Sequence, residues 1–328
     1  MNTKGGDKLE INSYVMRVAV LISTYNGSRF LDAQLQSIFA QVNVPVNVEV
    51  DVYVRDDGSC DSTLDVLSNY LTHPNFHIIN SGGIQLGYAK SFMELLKYSS
   101  DGDLYLFSDQ DDLWGEHKLS VLIEEFFNHD SDKPLLEYTD MVHFGQSNSQ
   151  HLTEHGNDPA LFTDFHKTLF EPRLSGNSIA INEKLRKILV HLWFDEGLGS
   201  QLQAHDTFVS RVAAIFGTIS FVSVRNPETV MKYRIQGQNT SAVQQNKFRN
   251  KMSYLNNRIR VYDSRFDFVS LILNCDILND IPEFKRSFLR EMARLYKLRG
   301  LPRLIYGLRF LKFQKNALYK LIFFLWLL

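Results

Sequence analysis

Phe107-Ser108-Asp109-Gln110-Asp111-Asp112-Leu113-Trp114 places three carboxylates within four residues, directly after the apolar run 104–107. The run reads as a buried strand, so the acidic cluster falls where that strand ends. Carboxylates this close repel one another unless a cation sits among them, and hard oxygen donors suit Mg²⁺ or Mn²⁺. A divalent cation at a strand end is in turn a natural grip for a diphosphate. An isolated Asp-x-Asp is common by chance and a solvated turn would explain it alone, so the surroundings decide.

Residues 18–22 form a short β-branched run ending in Ser23-Thr24-Tyr25-Asn26-Gly27, followed by Phe30, Leu31, Leu35, Ile38 and Phe39 at helical spacing. Val48, Val50, Val52 and Val54 alternate as a strand stopped by Arg55-Asp56-Asp57-Gly58-Ser59, and Asp61 is suited to cap the next helix. A third strand is expected at 76–79, a helix at 87–98, the fourth strand at 104–107 and a helix at about 116–128. Strands alternating with helices imply βαβ units and a mostly parallel sheet covered on both faces. In such sheets ligands bind beyond the carboxyl ends of the strands. The polar clusters at 23–27, 56–59 and 109–112 all fall at strand ends and converge on one edge. Further along, 143–172 reads as a long polar loop region. Strands are expected at 178–181, 219–224 and 230–235, a helix near 206–216, and helical pattern from about 244.

The chain has 328 residues, 44% of them hydrophobic, enough for one large core with an appendage. Its net charge of −2 gives no global field for nucleic acid. Cys60 and Cys275 are too few for a disulfide framework, which suits a reducing, cytoplasmic setting. The polar residues at the N-terminus carry no apolar signal core, and no stretch reaches the roughly 20 apolar residues of a spanning helix.

In this order the three strand-end clusters resemble the family 2 inverting glycosyltransferases of GT-A fold, and the wording of 107–114 is most similar to their bacterial rhamnosyltransferase branch, which builds O-antigens and capsules. The resemblance implies a polar lead at 1–16, a GT-A catalytic domain at 17–243 and a helical region at 244–328. It implies transfer of a sugar, L-rhamnose from dTDP-rhamnose first, to a hydroxyl of a lipid-linked glycan; UDP-hexose and UDP-N-acetylhexosamine donors are the alternatives. By the same resemblance Tyr25 packs on the nucleotide base, flanked by Thr24 and Asn26. Asp56 accepts from the pyrimidine N3–H, and Asp57 supports it or contacts ribose. Asp109 holds ribose or the metal, Asp111 is the direct metal ligand, and Lys90 approaches the phosphates. Gly176, in Ser175-Gly176-Asn177, lets backbone approach the sugar. Asp206, in His205-Asp206, is the general base that deprotonates the acceptor hydroxyl. Arg234 pairs with phosphate oxygens, and Gln236 stands where the family carries a histidine, which puts the third metal ligand in doubt.

Plain readings compete with each of these: a capping role for Asp206, a packed surface histidine for His205, a solvated helix lysine for Lys90. A nucleotidyltransferase also uses strand-end carboxylates, but 23–27 is not a glycine-rich basic phosphate loop. A non-catalytic sugar-binding protein would need neither Asp111 nor Asp206. Beyond Glu291 eight Lys and Arg residues occur with no acid, among leucines and aromatics. This reads as a basic amphipathic helix lying on the inner face of the cell membrane. The same helix packed on the domain or on a second copy is the alternative, so homo-oligomer formation stays open.

Overall fold

The apolar run near the N-terminus becomes β1 (Met16–Thr24), and its neighbours on either side, β2 (Val48–Asp56) and β4 (Leu104–Asp109), both run parallel to it. Its residues are buried on both faces: Val18, Val20 and Ile22 enter one apolar cluster, Ala19 and Leu21 the other. The computed structural model describes residues 14–79, 82–145, 163–170, 174–201, 204–226, 229–236, 251–314 and 316–328.

With β3 (Phe76–Ile78), β6 (Leu135–Thr139), β8 (Ile179–Asn182) and β9 (Thr218–Val222), the described strands form a seven-stranded sheet in the order β3-β2-β1-β4-β8-β6-β9. Only β8 opposes its neighbours in direction. Helices α1 (Leu31–Phe39) and α4 (Lys118–Phe126) cover one face. Helices α3 (Tyr88–Tyr98), α6 (Glu183–Val190) and α7 (His205–Phe216) cover the other, and α2 (Thr63–Ser68) lies beside α1. A second, three-stranded sheet joins β5 (Leu113–Trp114), β10 (Met231–Ile235) and β7 (Val142–Gly145). The register brings Thr24 opposite Asp56 and Ser23 opposite Asp109, so the three polar clusters share one edge as the sequence implies.

The segment expected as loop over 143–172 contains the end of β7 and a helix, α5 (Phe165–Phe170); residues 146–162 and 171–173 lie outside the described residues. Strand β6 is not apparent in the sequence because Glu137 interrupts its apolar pattern.

The C-terminal region is helical as expected: α8 (Lys251–Ile272), α9 (Glu283–Lys297), α10 (Gly300–Gly307), a 3₁₀ turn (Leu308–Phe313) and α11 (Ala317–Leu327). It is not one amphipathic helix lying free, which corrects the sequence expectation. Ile322, Phe323, Trp326 and Leu327 on α11 are buried in the same apolar cluster as β4, α3 and α7. Trp326 stacks on Phe266 at 4.6 Å, and its Nε1 donates to Asp263 at 2.9 Å. The Lys285 ammonium donates to the carbonyls of Ala214 and Gly217 at the end of α7, at 2.7 and 2.8 Å. Among the described residues no helix is long and apolar enough to cross a membrane.

Candidate active site

The loop after β1 is held from both sides. Gln110 joins it to the acidic loop: its Oε1 accepts from Thr24 Oγ1 and the Tyr25 amide at 2.7 and 2.8 Å, and its Nε2 donates to the Tyr25 carbonyl at 3.0 Å. On the other side Asn26, at φ 47°, accepts from the Cys60 amide at 2.9 Å and donates through its own amide to Ser59 at 2.8 Å. The Gly27 amide donates to Thr63 Oγ1, and Asp61 bridges the Ser28 and Thr63 amides. Thr24 is thus buried and structural, while the Tyr25 ring stands 44% exposed at the mouth of the cleft, free to lie against a flat base.

After β2 the two aspartates separate in role. The Asp56 carboxylate accepts from the amides of Gly58 and Ser59 and from Ser59 Oγ, at 3.1, 2.9 and 2.5 Å, a turn that fixes its orientation at the edge. Asp57 is buried, paired with Arg55 at 2.5 Å and accepting from the amides of Leu86 and Gly87 at 2.7 and 2.8 Å. The expected ribose contact for Asp57 is therefore corrected: both its oxygens are used inside the protein, anchoring the start of α3. On that helix Lys90 is exposed, and Tyr88 lies where Asp206 and Asp109 both act on its hydroxyl, which burial first and then their charge raise above its ordinary range.

The acidic loop divides in the same way. Asp112 is fully buried, its Oδ1 accepting from the Arg234 amide at 2.8 Å and its Oδ2 from Asn177 Nδ2. It ties the loop to β10 and to the 3₁₀ turn Gly176–Ser178. Beneath it lies the fully buried Lys118, whose ammonium donates to the Asn177 carbonyl at 2.6 Å and sits 4.2 Å above the Trp114 ring. Burial draws this lysine down to about 7 against the pull of Asp112 and Asp109. Asp109 and Asp111 remain half-buried at the cleft. Asp111 Oδ2 accepts from Gln236 Nε2 at 2.6 Å, and its carbonyl accepts from Arg234 Nε at 2.7 Å. The Arg234 guanidinium lies between the Phe30 and Phe144 rings, 4.4 Å from each.

Asp206, distant in sequence, meets this group. It is in the first turn of α7, where Ala204 and not Asp206 takes the capping position; its carboxylate accepts from the Thr207 amide at 2.6 Å. Burial raises its pKa. Asp109 is pushed up to about 7, by burial first and then by the charges of Asp111 and Asp206. Burial and like charge both oppose ionisation of Asp109, and the hard oxygens of Asp109 and Asp111 are of the kind that suits a divalent cation.

His205 is not a surface residue. It is 3% exposed, its ring 4.3 Å from Phe92 and 5.3 Å from Phe107, and among the described residues neither ring nitrogen has a hydrogen-bond partner. Burial holds it neutral, down to about 3. A Cβ at Gly176 would come within 2.4 Å of His205 Nε2. The imidazole behind the turn is therefore a reason for glycine there. Gln110, Asn177, Lys118 and Tyr88 are site residues to which spacing in the sequence gives no role, although Gln110 lies within the acidic stretch 107–114. A separate groove of about 710 Å³, lined by residues including Asn43, His117, Phe127 and Arg225, contains none of the residues described above.

A seven-stranded mixed sheet with carboxylates clustered at the ends of its central strands defines a nucleotide-sugar transferase fold of GT-A kind, and residues 19–162 match the model of Glycosyl transferase family 2. The match covers that segment of the chain and not the residues after it. It is 33% identical over 107 residues to the dTDP-rhamnosyl transferase RfbG of Shigella flexneri, covering 31% of this chain and 36% of that one. It is 28% identical over 123 residues to the uncharacterized glycosyltransferase alr2836 of a Nostoc species, covering 35% and 34%. The chain thus spans about a third of the length of these relatives. Its fold is similar to residues 1–349 of TarS from Staphylococcus aureus in complex with UDP-GlcNAc, with a TM-score of 0.56 at 18% identity over 91% of this chain and 81% of that one.

Proposed function

We propose that the protein transfers one sugar from a nucleoside diphosphate sugar to an acceptor hydroxyl, with inversion at the anomeric carbon. The observation that carries this is that Asp206, distant in sequence, lies near enough for its charge to act on Asp109, at the edge where Tyr25 and Asp56 also lie. The base stacks on Tyr25 and its N3–H donates to Asp56; Asp109 is placed toward the ribose, and Lys90 and Arg234 toward the phosphates. Mg²⁺ or Mn²⁺, held by Asp111 and Asp109, would neutralise the diphosphate and improve it as a leaving group. Asp206 takes the proton from the acceptor hydroxyl, and its raised pKa suits it to that task. The acceptor oxygen then forms the new bond to the anomeric carbon as the nucleoside diphosphate departs, and no protein nucleophile intervenes.

The donor is dTDP-rhamnose and the acceptor a lipid-linked glycan at the cytoplasmic face of the membrane. The relation to RfbG supports the donor, and Asp56, which selects uracil or thymine over cytosine, is consistent with it. The test is release of nucleoside diphosphate from dTDP-rhamnose, UDP-glucose, UDP-GlcNAc and GDP-mannose, with added Mg²⁺ or Mn²⁺, by the wild type and Asp111→Ala. Release from dTDP-rhamnose that Asp111→Ala loses is the expected result. Equal release by both proteins, or none from any donor, overturns the assignment.

A further inference from the structure

Helix α11 buries one side, α10 sets half-buried Leu304 and Tyr306 against the core, and both leave leucines on the outside. On α10 and the turn after it, Leu301, Ile305 and Leu308 recur at helical spacing and are 66, 63 and 45% exposed; on α11, Leu318 and Leu321 are 51 and 54% exposed. The two helices touch where Gly307 meets the Leu327 side chain, so closely that a Cβ there would stand 2.2 Å from a Leu327 methyl. Single exposed leucines are ordinary, but two touching helices that each carry a stripe of them are not. The charge on this segment has one sign. No acid follows Glu291, and Lys297, Lys312 and Lys320 are exposed. Arg303 and Arg309 are drawn back, Arg303 over Trp326 at 4.0 Å and Arg309 toward Glu291 at 3.6 Å.

We propose that the leucine stripes of α10 and α11, with the lysines beside them, dock this protein on an anionic lipid bilayer. The leucines enter the boundary between headgroups and acyl chains, and the ammonium groups pair with the headgroup charge. A second copy of the chain fits less well. A two-fold contact through this face would set the same cations against each other with no acid in the segment to neutralise them. Because α11 is part of the core and Leu304 and Tyr306 of α10 pack against it, docking fixes the catalytic domain to the surface rather than tethering it. The proposal does not rest on sugar transfer, since vesicle binding is read with no donor present.

The test is flotation of the full chain with vesicles of phosphatidylcholine alone and of phosphatidylcholine mixed with phosphatidylglycerol. The wild type is expected to float with the anionic vesicles, less with the neutral ones, and less as salt is added. Lys312→Ala/Lys320→Ala is expected to weaken partition roughly thirtyfold at low salt. Ile305→Asp/Leu321→Asp is expected to abolish binding with an unchanged thermal midpoint, because both side chains stand in solvent. Wild type that stays off anionic vesicles overturns the proposal, as does binding that neither double variant alters. A wild-type dimer that Ile305→Asp/Leu321→Asp dissociates, with vesicles left unbound, assigns the face to a second copy instead.

Discussion

Gly176→Ala tests how the site is held together. The added methyl carbon would stand 2.4 Å from His205 Nε2 and 2.9 Å from its Cε1. Carbon and nitrogen settle about 3.5 Å apart, so something must move by about 1 Å. The ring has little room, packed at 4.3 Å against Phe92 and 5.3 Å against Phe107, with Tyr88 edge-on at 6.1 Å. If the ring yields, it shifts the start of α7 and Asp206 with it. If the turn yields, it drags Asn177 away from Asp112 and Lys118. Overpacking of this kind costs about 1–3 kcal/mol, a fall of several degrees in thermal midpoint for a protein of this size. A displacement of about 1 Å at a catalytic group lowers turnover roughly a hundredfold. The assays are the thermal midpoint and nucleoside diphosphate release from dTDP-rhamnose. Gly176→Ala/His205→Ala removes the ring that the methyl strikes, so its stability loss should fall short of the sum of the single losses by about 0.5–3 kcal/mol. Wild-type stability and turnover in Gly176→Ala, or single losses that simply add in the double variant, would refute the reasoning.

Asp206→Asn should abolish transfer while leaving the thermal shift induced by dTDP intact; loss of the shift would make Asp206 a donor-binding group instead. Gln110→Ala removes three hydrogen bonds between the first and third loops and should weaken dTDP binding about tenfold or more, whereas an unchanged shift would show that the loops hold without it. Glu137 is fully buried and pushed up to about 9 by burial, so the folded chain keeps a proton that the unfolded chain gives up near 4.5. Stability from this group is therefore greatest below about pH 4.5 and declines as pH climbs toward 9, by about 1.4 kcal/mol per pH unit. Glu137→Gln should flatten that decline and be the more stable protein at pH 8; denaturation curves that stay parallel from pH 5 to about pH 8 would contradict it.

The strand-end clusters were legible because each joins an apolar run to a tight group of polar and glycine residues, and a parallel sheet leaves such ends on one edge. Asp206 was legible only through family likeness, since nothing local says that the start of α7 returns to β4. The roles of Asp57 and Asp112 could not be read from spacing: each differs from its neighbour, Asp56 or Asp111, by one position, and only packing decides which carboxylate faces inward. Lys118 and His205 were hidden for a related reason, because a lysine at a helix start and a histidine before an aspartate are ordinary on a surface. The C-terminal helices misled because basic residues among leucines give the same pattern whether the opposite side meets lipid or a protein core. Here Phe323, Trp326 and Leu327 go to the core, and Leu301, Leu318 and Leu321 stay outside.

The Gln110 side chain clamps the loop after β1 to the acidic loop. Under the proposed assignment these are the base end and the phosphate end of the groove, and the gap between them is set before any ligand arrives. The groove would then act as a fixed caliper. A nucleotide sugar with one phosphate too few or too many would seat its base or its sugar, but not both, and selection by length would come from a residue that never touches the bond being broken.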